Sequence, residues 1–329
     1  MKADISVTPS TLKDLWQNSV SMKRITRKTY RLKRFISDDI WALELEELSK
    51  AKARFIKYIK ILIITVKTFT QQKIGPRAVA LSYFSVMAVV PFLAIVFGIT
   101  GGFGLADVLK EYLYANFSGS QQVIDTVLRF AQNIIDTAQS GWMGFFSALL
   151  FLWIIIRLMM NVETAFNHVW KVEQNRSILK RVSFYVGILL ISPFVIFVLF
   201  AGSFIYSNAL EYVGLNLEEF SFIKKLISWG LFTLIAALTF SAMYKFIPNF
   251  KVKYGMAFRA AMFAALAFAA VQFLYLETQV LVSRLNGVYG TFAAVPLFMI
   301  WLNISWNIIL IGAELSYAFQ HVDNYNLED

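Results

Sequence analysis

Six stretches of this chain are apolar for long enough to cross a bilayer, and that recurrence constrains the fold more than any single motif. They run at about Val79–Thr100, Trp142–Met160, Ser183–Tyr206, Leu226–Tyr244, Ala257–Leu276 and Ala294–Phe319. A span needs ~20 predominantly apolar residues as a helix. Lipid offers the backbone no hydrogen-bond partners, so such stretches satisfy their own amides by becoming helical. The expectation is an all-α, polytopic membrane protein with six transmembrane helices. Pro91, Pro193 and Pro296 fall inside the first, third and sixth spans. Each leaves a carbonyl without its usual donor and kinks its helix, either as a packing feature or as a gating hinge.

Composition agrees. Hydrophobic residues make up 58% of the chain and charged residues 16%, whereas a soluble domain is roughly half apolar and about a quarter charged. There is no cysteine, so disulfides and thiolate metal sites are excluded. The net charge is +10, but more than half of the 31 Lys and Arg residues precede Val79. That asymmetry reads as membrane topology rather than specific nucleic-acid recognition. Lys171, Arg176, Lys180 and Arg181 mark the loop near 161–182 as cytoplasmic, and Lys245, Lys251 and Lys253 mark the loop near 245–256. The segments Gly101–Gly141, Ser207–Lys225 and Thr278–Ala293 are poor in basic residues and face outward on this reading. Both termini are then cytoplasmic. Within Gly101–Gly141, the helical spacing of Val123, Val127, Phe130 and Ile134 suggests an amphipathic lid on the outer face.

Residues 1–52 form a basic cytoplasmic extension without the apolar core or cleavage site of a signal peptide. Between Met22 and Phe35 it carries seven basic residues and no acid. Such an arm is a topogenic signal or a contact for anionic lipid headgroups. The segment SDDIWALELEELSKAK reads as a short helix with Ser37 as its N-cap. Residues 53–78 follow as an interfacial amphipathic helix and a turn. Lys57, Lys60 and Lys67 interrupt the apolar run of Ala53–Phe69, and Gly75-Pro76 ends it. Residues 79–319 are the membrane domain and 320–329 a cytoplasmic tail.

The sixth span carries the most informative polar pattern. Asn303, Asn307 and Glu314 are spaced by four and seven residues. At about 100° per residue they share a sector of roughly 40°. Polar groups on one face of a span look into protein or a wet cavity, as interhelical hydrogen-bonding groups or as a transport pathway. Arg157, at the inner end of the second span, is the candidate partner for Glu314, unless it reaches to the headgroups instead. In the fifth span, Ala261, Ala265 and Ala269 form a small-residue stripe suited to close helix packing.

Signatures of catalysis are absent from the sequence. Neither His168 nor His321 sits in HExxH, and there is no Walker A or GxSxG motif. Glu163 and His168 share the expected second inner loop, a weak basis for nuclease chemistry. The chain is read as a non-enzyme without a cofactor or metal.

The stretches ALSYFSVMAVVPF, YKFIPNFKVKYGMAFRAA and VYGTFAAVPLFMIWLNISWNIILIGAEL resemble the YihY/BrkB family of bacterial inner-membrane proteins. The resemblance covers roughly Ile74–Phe319. It carries over the positions Tyr83, Pro91, Asn167, Pro248, Asn249, Tyr289, Gly290, Pro296, Trp301, Gly312 and Glu314, which mark the family's shape rather than established catalytic roles. Members are often labelled ribonuclease BN. Others are described as virulence or serum-resistance factors, or as transporters of lipid or lipopolysaccharide precursors. The resemblance therefore implies a transporter or lipid translocase without its own ATPase, or alternatively a non-transporting scaffold for envelope biogenesis. A membrane-bound ribonuclease is the third and weakest reading. The expected partners are the bilayer, anionic headgroups at the basic arm, envelope-biogenesis proteins and a second copy of the chain.

Overall fold

The computed structural model describes residues 40–41, 49–102, 141–172, 179–188, 221–283 and 287–325, with 110–111, 114, 124–126, 128–129, 132–133, 136, 176–177 and 190. Among these, the long elements are all helical: α1 (Lys50–Gln71), α2 (Ile74–Gly102), α3 (Trp142–Val169), α4 (Ser221–Phe246), α5 (Tyr254–Ser283) and α6 (Gly287–His321). Five of them, α2 to α6, are long and apolar enough to cross a membrane. The expected third span lies largely outside the described residues, and Pro193 with it, although 183–188 are helical. The Ser37-capped helix and the apolar face of the outer lid also lie outside them.

Several expected boundaries move, each for a physical reason. The chain breaks between α1 and α2 at Gln72-Lys73, not at Gly75-Pro76. Lys73 takes a positive φ of 51°, and Pro76 sits in the first turn of α2. There its missing N–H costs nothing, because that donor has no intrahelical partner anyway. Helix α3 does not stop at Met160 but continues to Val169. Val162, Ala165, Phe166 and Val169 keep the helical spacing of its buried face. The polar residues that lower the hydropathy are absorbed locally: Asn161 donates to the Arg157 carbonyl at 2.7 Å and Thr164 to the Met160 carbonyl at 2.8 Å. Glu163, Asn167 and His168 are therefore helical residues, not loop residues. The expected outer loop Thr278–Ala293 is likewise mostly helix, because α5 runs to Ser283 and α6 begins at Gly287. Tyr289 and Gly290 are thus helical residues. Pro91 and Pro296 both lie within their helices.

The chain divides into two compact units, residues 1–66 with 321–329, and residues 67–320. In the first, the Lys57 ammonium bridges the Asp323 carboxylate at 2.8 Å, and Trp41 packs against Tyr325 with ring centroids 5.5 Å apart. Lys60 lies over the Trp41 ring at 5.6 Å. On α1, Phe55, Tyr58, Leu62 and Val66 form an exposed apolar stripe.

In the second unit, α2 packs on α3 around Ala88 and Ile155, flanked by Phe92, Ile95, Leu152 and Leu158. Helices α4 and α5 form a hairpin. Phe268 of α5 stacks on Phe232 at 5.9 Å and meets Phe240 edge-on at 5.5 Å. Buried Ala260, Ala261, Ala264 and Ala265 let α5 approach its neighbours closely. In lipid this shape fit, rather than removal of apolar surface from water, is what holds spans together. Trp306 of α6 donates to the Ser85 hydroxyl of α2 at 2.9 Å, linking the last span to the first.

Candidate functional site

The polar groups concentrate where α3, α4 and α6 end. Helix α3 finishes in a hydrogen-bonded turn. The Trp170 amide donates to the Phe166 carbonyl at 3.1 Å, and the Val172 amide to the Asn167 carbonyl at 2.9 Å. Lys171, between them, has a positive φ of 50°. The turn projects Trp170 into a ring cluster, stacked on Phe250 at 5.2 Å and edge-on to Tyr317 of α6 at 5.6 Å. One turn earlier, Phe166 lies against Tyr244 of α4, with centroids 6.2 Å apart.

Proline cannot continue α4, so the chain turns at Ile247–Lys253 into α5. The backbone groups of this short connection are met by side chains from several elements. The Asn167 side-chain oxygen accepts the Asn249 amide at 2.8 Å. Arg176 donates to the Phe246 and Pro248 carbonyls at 3.0 and 3.3 Å, and Lys245 donates to the Val252 carbonyl. Gln320 of α6 accepts the Lys253 amide at 2.9 Å and donates to the Lys251 carbonyl at 3.4 Å.

Two carboxylates are fully buried here, Glu163 and Glu314. Glu163 is neutralised in place: the Arg181 Nε lies 3.1 Å from its Oε2, and the Tyr185 hydroxyl donates to the same oxygen. Its Oε1 has no hydrogen-bond partner among the described residues. No cation contacts Glu314 in this way among the described residues. Neither of its oxygens meets a hydrogen-bond partner of good geometry among the described residues. The Thr68 hydroxyl faces it, and Lys171 is the charged group that acts on it. Two residues before it, Gly312 is pressed against α4 and α5. A Cβ at this position would overlap the Tyr244 hydroxyl and stand 2.8 Å from the Ala264 Cβ.

The sequence-derived residues are only partly brought together. Asn303 and Asn307 are half-buried and bond to each other, with the Asn307 amide donating to the Asn303 carbonyl at 2.8 Å and to its side-chain oxygen at 3.3 Å. Arg157 is not the partner of Glu314. It is exposed and lies over the Trp153 ring at 5.4 Å, on a different face of α3 from Glu163. Glu163 and His168 do not meet either. Five residues apart on a helix, they point about 140° apart, and the His168 Nδ1 lies 3.2 Å from the Gln72 side-chain oxygen. Among the shape-marking positions, Tyr83 is exposed. Trp301 stacks on Tyr275 at 5.1 Å and donates to Gln272 at 3.1 Å.

Sequence reading missed the Glu163–Arg181–Tyr185 cluster. The signal was present in the apolar spacing of residues 162, 165, 166 and 169, which continues the helix and places Glu163 beside its buried face. A second feature is an open apolar groove of about 670 Å³ between α4 and α5, lined by Leu226, Trp229, Thr233, Leu266, Ala269 and Phe273.

Comparison with known proteins gives a consistent picture. A family model described as Virulence factor BrkB matches residues 65–329. A UPF0761 membrane protein of Haemophilus influenzae is 28% identical over 265 residues, covering 78% of this chain and 93% of the relative. One from Acinetobacter baylyi is 31% identical over 275 residues, covering 79% of this chain and 62% of the relative. One from Legionella pneumophila is 26% identical over 275 residues, covering 82% and 64%. The chain thus spans nearly all of some relatives and less than two thirds of others. No solved structure matches it. With five apolar helices of spanning length among the described residues and a family match over most of its sequence, the chain belongs to the BrkB family and is a multi-pass membrane protein whose described long elements are all helical.

Proposed function

We propose that this protein is a transporter or translocase of lipids or envelope precursors in the bacterial inner membrane, with both termini cytoplasmic and no ATPase of its own. The observation that carries the reading is Glu314, a carboxylate fully buried within a span and without a contacting cation among the described residues. Removing an ionised carboxylate from water costs several kcal/mol, and ionisable groups inside spans mark pathways and relays. Asn303 and Asn307 extend the polar face along α6, and in this conformation they close on each other. Movement of α6 against α2 and α4 would open the face. The apolar groove between α4 and α5 suits an acyl chain, which favours a lipid over a small polar solute.

In this reading α1 lies on the inner surface. Its exposed Phe55, Tyr58, Leu62 and Val66 enter the headgroup layer while Lys57 and Lys67 stay near the phosphates. The basic arm at residues 22–35 adds attraction to anionic lipid.

The test is translocation of fluorescent phospholipid and glycolipid probes in proteoliposomes, comparing wild type with Glu314→Gln. Protein-dependent movement that is lost in a folded Glu314→Gln variant supports the reading. Equal movement in both removes Glu314 from the path. No movement by wild type with any probe favours the alternative, a scaffold for envelope-biogenesis proteins. The closed, many-sided bonding of residues 247–253 suits that alternative, and crosslinking in native membranes would identify the proteins held.

A further inference from the structure

Glu163 and Glu314 lie near the same end of the helices, and both are fully buried. Their surroundings set them apart. Glu163 has its countercharge fixed at 3.1 Å in Arg181, with a Tyr185 hydroxyl bond on the same oxygen. The two buried groups are tied together, and replacing either side chain would strand the other. Around Glu314 the neighbours are different. From α1 comes the neutral Thr68 hydroxyl. From the turn after α3 comes Lys171, whose side chain is exposed to water. Gly312, which meets Tyr244 and Ala264, stands two residues before Glu314 and faces another side of α6.

We propose that Glu314 is a proton-binding site, loaded while the helices are closed and emptied when water reaches the carboxyl. The argument is geometric. Among the described residues, an ionised carboxylate in this position lacks both a contacting cation and the two or three hydrogen bonds that would replace its hydration, at a cost of several kcal/mol. The neutral carboxylic acid is far less costly to bury than the carboxylate, and the Thr68 hydroxyl faces it.

A metal cation is a poorer occupant. Calcium takes about six to eight oxygen ligands and magnesium about six. The site offers the two carboxylate oxygens and one hydroxyl, with no cluster of three or more His, Cys, Asp or Glu among the described residues.

The exchange involves no bond other than O–H. The proton leaves to water when α6 moves and returns before it closes. Lys171 stands where it would stabilise the carboxylate during the open stage. The inference deepens the transport reading by naming the coupling ion, and only the word coupling depends on that reading.

Proton occupancy can be read without any flux. In an infrared pH titration of the full-length protein in proteoliposomes, wild type should show a protonated-carboxyl stretching band at neutral pH. Glu314→Gln should abolish that band. Glu277→Gln, which alters the exposed carboxylate of α5, should keep it. Should Glu314→Gln fail to fold, Glu314→Asp should shift the band instead of removing it. A wild-type protein with no such band at neutral pH overturns the proposal whatever the variants do. So does a band that Glu314 replacements leave unchanged. Probe movement without the band would leave transport standing without a proton at Glu314, and the band without movement would do the reverse.

Discussion

The Asn167 side-chain oxygen accepts the backbone amide of Asn249 at 2.8 Å, joining α3 to the connection between α4 and α5 across 82 residues of sequence. Asn167 is 3% exposed, so water cannot readily replace this bond. Asn167→Ala should leave the Asn249 amide unpaired and cost about 1–3 kcal/mol. Thermal unfolding in detergent should show a lowered midpoint. An unchanged midpoint would mean that the connection is held without it.

The contact between Gly312 and Tyr244 makes a second expectation. Gly312→Ala should cost about 1–3 kcal/mol through overpacking, because the added methyl overlaps the phenol oxygen. That oxygen has no hydrogen-bond partner among the described residues. Tyr244→Phe should therefore be mild alone and should recover part of the loss in the double variant. Strict additivity in the double-mutant cycle would contradict the contact.

Glu163 and Arg181 should behave as a unit. Removing only the guanidinium, as in Arg181→Ala, strands a buried carboxylate, which typically costs about 3–5 kcal/mol. Arg181→Met with Glu163→Gln removes both charges and should be far less damaging than Arg181→Ala. Comparing the unfolding midpoints of the three proteins decides it. A double variant no better than Arg181→Ala would indicate that the bonding pattern, not the charge, is what matters.

Lys60, outside the spans, gives a pH dependence. Burial lowers it from 10.5, and the Asp323 carboxylate opposes that shift. Between the lowered folded value and 10.5 the unfolded chain binds more protons than the folded one, so stability rises with pH. The contribution is fully present above 10.5 and is lost as pH falls through the folded value. Hydrogen exchange across residues 50–66 should slow as pH rises through this window, after correction for the intrinsic rate. Lys60→Met should remove that dependence.

Much of the architecture is legible from hydropathy, because a span is a long signal and α2 to α6 each carry one. The ends are less legible. Asn161, Glu163 and Thr164 lower the hydropathy of α3, yet Asn161 and Thr164 return their polar groups to carbonyls of the same helix. The site was half visible. The spacing of Asn303, Asn307 and Glu314 identifies one face of α6, and Trp153 and Arg157, four residues apart on α3, have the spacing of helix neighbours. No local pattern reveals that Arg181 turns to Glu163, because that pairing joins separate segments.

The connection at Ile247–Lys253 also has a history during synthesis. Asn167 and Arg176 have been made before it emerges, and they can bond to it at once. Gln320 follows only after the last span. Until then the Lys253 amide and the Lys251 carbonyl lack the side chain that satisfies them. The α4–α5 hairpin can thus enter the membrane early, but its tip is completed last, so a chain interrupted before Gln320 would display an unfinished surface to the cell's quality-control machinery.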